Sequence, residues 1–127
     1  MVLYKSHKNI GKTHDALGRC YALLADYKSS VKHVQHSTDI TELQFGRESV
    51  EATNELLKLS DVYMAWIQQL IDRQDKAAIK EHLPSTLKVI ETTLRLVKMN
   101  KEPGNEDFVL LTERLESLNK LKYLCQF

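Results

Sequence analysis

Apolar side chains recur along this chain at steps of three and four residues, the period of a helix face rather than of a strand. Leu17, Cys20, Tyr21 and Leu24 fall at i, i+3, i+4 and i+7 and predict a first helix from about Lys8 to Leu24, closed by the turn Ala25-Asp26-Tyr27. Val31, Val34, Ile40 and Leu43 predict a second, from about Lys28 to Phe45, with Gly46 as its stop. Ser49 reads as the N-cap of a third helix, which carries Leu56, Leu59, Tyr63, Trp66, Ile67 and Leu70 and reaches Ile71 or beyond. The stretch from Asp72 to Glu81 is polar, interrupted only by Ala77, Ala78 and Ile79, and Pro84 after it fits the first turn of a fourth helix. That helix has the stripe Leu87, Ile90, Leu94 and Val97. Lys101-Glu102-Pro103-Gly104-Asn105 is the strongest break, and Asn105 caps a fifth helix with Glu106 and Asp107 placed against its N-terminal dipole. Leu111, Leu115, Leu118 and either Leu121 or Leu124 line it. The pattern is all-α: about five helices in antiparallel hairpins.

One residue breaks the first helix's own rules. Gly18 sits inside it, where glycine costs about 1 kcal/mol relative to alanine, which points to a close approach by a neighbouring backbone. Ser30 and Ser37 are small residues on the returning helix. This layout resembles a tetratricopeptide repeat, a helical hairpin of about 34 residues that stacks into a solenoid. Leu59-Ser60-Asp61-Val62-Tyr63 matches Leu17-Gly18-Arg19-Cys20-Tyr21, and Thr86, Ile90 and Thr93 match Ser30, Val34 and Ser37. The resemblance implies one helical-repeat domain over residues 1–127: a first hairpin at 8–46, a second, expanded hairpin at 47–100 and a capping helix at 105–125. An ordinary antiparallel bundle shares the amphipathic pattern. Small residues at the crossing points favour stacked hairpins.

Composition narrows the function classes. The 127 residues are 43% hydrophobic, enough for one domain with a sizeable core, and 18 basic against 17 acidic residues give a net charge of +1. That balance lacks the basic stripe of a nucleic-acid binder, and no apolar run approaches the roughly 18 residues of a membrane span. The basic segment Met1 to Lys12 has no apolar core and does not read as a signal peptide. Two cysteines, Cys20 and Cys125, make no disulfide framework, so the expected location is intracellular, cytoplasmic or nuclear, with Cys20 a small buried hydrophobe. No phosphate-binding, dinucleotide, metalloprotease or nucleophile-elbow motif appears, so no catalytic residue, cofactor or metal is expected and the chain does not read as an enzyme. His33 and His36 share a helix face without further ligands at zinc-site spacing, and read as a solvated face. His14, one turn before Gly18, is expected to pack at the hairpin entrance. Trp66 reads as core before it reads as a binding anchor.

In the repeat register, a concave face carries Lys12, Asp15, Arg19 and Leu23 from the first helix and Asn54, Asp61 and Met64 from the third. Tetratricopeptide proteins that grip a C-terminal carboxylate hold lysine and asparagine where this chain has Asp15 and Arg19, and the negative Asp15 argues against that ligand. A protein or peptide is the expected partner, with no nucleic acid or membrane; self-association as a helical bundle scaffold stays open. Thr13-His14-Asp15-Ala16-Leu17-Gly18-Arg19-Cys20-Tyr21-Ala22, then Phe45-Gly46-Arg47-Glu48-Ser49-Val50-Glu51 and Glu55-Leu56-Leu57-Lys58-Leu59, resemble the C-terminal helical region of SET and MYND domain-containing methyltransferases. The resemblance implies a larger parent that transfers a methyl group from S-adenosylmethionine to protein lysine. It further implies that the helical tail walls one side of the parent's substrate cleft and offers a surface for partners. The catalytic fold and zinc-binding cysteines of that family have no counterpart in these residues.

Overall fold

The computed structural model describes His14, residues 16–102 and residues 104–125. The described residues form five helices and no strand. His14 and residues 16–23 are the described part of α1, followed by α2 (Tyr27–Phe45), α3 (Val50–Asp72), α4 (Lys76–Asn100) and α5 (Glu106–Cys125).

Local chemistry sets most of the boundaries. Asp26 caps α2, its side chain accepting from the Ser29 amide at 3.3 Å. Gly46, at φ 97°, ends the helix and donates its amide to the Glu42 carbonyl at 2.9 Å. Ser49 caps α3 as expected, accepting from the Ala52 amide at 3.0 Å. Asn105 accepts from the Asp107 amide at 2.8 Å at the start of α5.

One boundary differs from the expectation. Pro84 does not open the fourth helix; it lies inside α4, which starts two turns earlier at Lys76. Gln74, at φ 56°, ends the turn after α3, and Asp75 caps α4 by accepting from the Ala78 amide at 3.1 Å. The added turns bring Ile79 and Leu83 into the core, 6% and 4% exposed, which offsets the carbonyl of Lys80 left without its helical N–H at Pro84.

The chain folds as two compact units, Met1–Tyr63 and Met64–Phe127, and α3 contributes residues to both. The units have different cores. In the first, buried positions are mostly small or hydroxylated: Gly18, Ser30, Ser37, Thr38, Ala52, Thr53 and Ser60 accompany Val34, Leu56 and Leu59. The second is built of longer aliphatics on α4 and α5, among them Ile79, Leu83, Ile90, Leu96, Leu111 and Leu118. Leu70, Ile79 and Cys125 form a cluster there, with Trp66, Ala78 and Leu121 packed against it. Leu121 therefore faces the core on α5, while Leu124 is 67% exposed.

The buried hydroxyls are not orphaned. Thr38, Thr86 and Thr93 donate to the carbonyls of Val34, His82 and Val89 one turn earlier. Ser37 donates instead to Glu55 of α3 at 3.1 Å, tying α2 to α3.

Candidate functional site

The α1–α2 hairpin is held by a close crossing at Gly18. Its carbonyl accepts the Ser30 hydroxyl at 2.7 Å, and a Cβ placed on Gly18 would lie 2.5 Å from Cγ2 of Val34. Glycine is required here because α2 occupies the space a side chain needs. The face that docks is therefore the one centred on Gly18, and the expected stripe is displaced. Cys20 is exposed rather than buried, Leu17 is 37% exposed and Leu24 is 76% exposed. Leu43 on α2 is likewise 83% exposed.

Four rings stack beside this crossing. His14 lies with ring centroids 5.0 Å from His33 and 4.9 Å from His36, and Tyr21 stacks on His33 at 5.4 Å with an interplanar angle of 3°. The Nδ1 atoms of His14 and His33 are 2.8 Å apart. One ring must donate an Nδ1–H to the bare Nδ1 of the other, so the acceptor is neutral and the pair carries at most one charge while the bond persists. Desolvation, then repulsion from His33 and His36, holds His14 below the ordinary imidazole range. The expected packing of His14 at the hairpin entrance is thus present, whereas His33 and His36 serve as one side of a ring ladder instead of a merely solvated face. Sequence spacing could not find this cluster, because His14 and His33 are 19 residues apart. Among the described residues no group of three histidine, cysteine or carboxylate side chains is arranged to hold a metal ion.

The residues expected on a concave face are placed as follows. Lys12 and Asp15 lie outside the described residues. In the first unit Arg19, Asn54 and Asp61 are exposed, and Leu23 is 88% exposed. Arg19 and Asp61 each have interaction partners within the chain. Met64, in the second unit, is half-buried. Trp66 packs against the Leu70–Ile79–Cys125 cluster and lies over His82 with ring centroids 4.1 Å apart, a core role with a polar neighbour. Burial pushes the Tyr63 hydroxyl up, and burial with repulsion from Asp39 raises the Glu42 carboxyl against the opposing pull of Arg47.

These features define an all-helical chain of antiparallel hairpins, and no helix among the described residues is long and apolar enough to cross a membrane. Its sequence is similar to one group of known proteins. It is 36% identical over 61 residues to the protein-lysine N-methyltransferase SMYD4 of Homo sapiens, covering 48% of this chain and 8% of that protein. Over 120 residues it is 27% identical to the SMYD4 of Danio rerio, covering 94% of this chain and 14% of that protein. The Mus musculus counterpart is 37% identical over 60 residues, 47% of this chain and 8% of that protein. The chain thus resembles a region of a SET and MYND domain-containing protein and spans a small fraction of the length of the relatives it matches. No family model matches the chain, and no solved structure matches it.

Proposed function

We propose that this chain is a protein-interaction module of tetratricopeptide type, one helical segment of a larger SET/MYND protein-lysine methyltransferase-like protein. The observation that carries the reading is the Gly18 crossing, where a small residue on one helix receives the Ser30 hydroxyl and the flank of Val34 from the next. Hairpins that interlock through small residues stack closely and leave one face of each first helix for a ligand. On α1 that face carries Arg19 and the exposed Leu23, a cation beside an apolar contact, a pairing common among interface anchors. The SMYD4 likeness supports placing the segment in a methyltransferase-like parent, where it would bind a protein or peptide and leave methyl transfer to other domains.

The test is a binding screen with the isolated chain, comparing wild type with Arg19→Glu and with an Arg19→Glu/Asp61→Lys pair. A partner captured by wild type should lose at least tenfold in affinity to Arg19→Glu, the scale of about 1.4 kcal/mol expected of an interface arginine. Undiminished binding by both variants would remove this face from the proposal. Methyl transfer to a lysine peptide by the chain alone would overturn the non-catalytic assignment.

A further inference from the structure

We propose that the cleft between α4 and α5 binds an acyl carboxylate: a medium-length hydrocarbon chain seated between the helices with its carboxylate held at the rim by two lysines.

The cleft has a cavity volume of about 320 Å³ and is lined by Lys80, Leu83, Pro84, Leu87, Lys122 and Cys125. The α4 residues fall at i, i+3, i+4 and i+7, one continuous face, and Lys122 and Cys125 are one turn apart on α5. Leu83, Leu87 and Cys125 are buried side chains that form an apolar floor. Its size is at the lower end of small-molecule sites, about 300–1,000 Å³, and well below what a helix about 10 Å across requires.

The rim is cationic on both sides. Lys80 comes from α4 and Lys122 from α5, and among the described residues no acidic side chain lines the cleft and neither lysine forms an ion pair. Elsewhere in this unit Lys101 pairs with Asp107 at 2.6 Å, a contact that neither rim lysine makes among the described residues. A bare phosphate would satisfy the ammonium groups and leave the leucine floor wet. A neutral hydrocarbon would cover the floor and leave the charges unmatched. An apolar chain ending in one carboxylate meets both demands. Pro84 supplies no N–H to the Lys80 carbonyl, which leaves an acceptor beside the rim for a water molecule.

Cys125 gives the test its reporter. In a Cys20→Ser background it is the only thiol of the chain. Its alkylation by N-ethylmaleimide is measured with decanoate below its micelle concentration, with decanol and with inorganic phosphate, alongside calorimetric titration of decanoate. Decanoate is expected to slow labelling at least tenfold, saturably and with one-to-one stoichiometry. Lys80→Gln/Lys122→Gln, both at exposed positions, should weaken decanoate by about tenfold while decanol is unaffected, since only the charged head is addressed. The same helical circular dichroism in variant and parent excludes unfolding as the cause. Equal protection by decanol and decanoate, protection by phosphate alone, or stronger protection by an acidic leucine-containing peptide would each overturn the assignment.

Discussion

Replacing Gly18 with alanine sets two effects of opposite sign against each other. Helix propensity favours alanine by about 0.8–1.0 kcal/mol. The crossing opposes it, because the new Cβ would lie 2.5 Å from Val34 Cγ2 and 3.4 Å from the Ser30 carbonyl oxygen. Carbon atoms in contact rest at about 3.5–4.0 Å, so the overlap is about 1 Å or more. Val34 is 2% exposed, and a helical valine holds one χ1 rotamer in about 90% of cases, so the methyl cannot swing aside. The helices must part, stretching the 2.7 Å bond from Ser30 to the Gly18 carbonyl. Overpacking of this kind costs about 1–3 kcal/mol, leaving a net loss of about 1 kcal/mol. For a chain of this size that lowers Tm by about 3–6 °C. Urea unfolding gives the global value, and hydrogen exchange of the α1 amides reports whether the loss is at the hairpin. The decisive arm is the double-mutant cycle: with Val34→Ala in place the overlap is gone, and Gly18→Ala should become stabilising by up to about 1 kcal/mol. Stabilisation by Gly18→Ala in the wild-type background, or equal destabilisation in both, would refute the crossing argument.

Acid should loosen the same hairpin. His14 has its folded pKa below the ordinary value, so the unfolded chain binds more protons in the window between them. The contribution of His14 is full above about pH 6.5, falls as pH drops below that value, and levels off beneath the folded-state value. The groups facing it are His33 and His36 from α2, with Tyr21 on the far side of His33; urea unfolding across this range should show a slope that His14→Phe reduces. Ser49→Ala and Asp75→Ala each remove a side-chain acceptor from a helix start and should cost about 1 kcal/mol apiece, read as a lower urea midpoint with an unchanged slope. Pro84→Ala restores an amide opposite the Lys80 carbonyl inside α4 and should raise stability by about 1–2 kcal/mol in the same assay. An unchanged or lower midpoint would mean that the proline ring's packing outweighs the missing bond.

The helices of the second unit were legible because their apolar residues are large and regularly spaced. Leu87, Ile90 and Val97 on α4 and Leu111 and Leu118 on α5 are buried as their spacing predicts. Caps at Ser49 and Asn105 and the stop at Gly46 were equally legible, since each depends on a side chain acting on its own local backbone. The candidate site was less so. Of the expected face, Arg19, Leu23, Asn54 and Asp61 are exposed and available to be tested, but exposure alone does not bring them into one surface.

What the sequence determined by itself is therefore the all-helical class, the turn chemistry, and the need for a small residue at position 18. Tertiary structure alone decided which side of α1 docks, why Leu17, Cys20 and Leu24 face outward, and that His14 meets His33 and His36 across the hairpin. It also decided that α4 runs through Pro84, because burial of Ile79 and Leu83 outweighs one lost helical hydrogen bond. Periodicity identifies a helix face, while the partner helix selects the orientation by steric fit, and at Gly18 that fit depends on a valine 16 positions away.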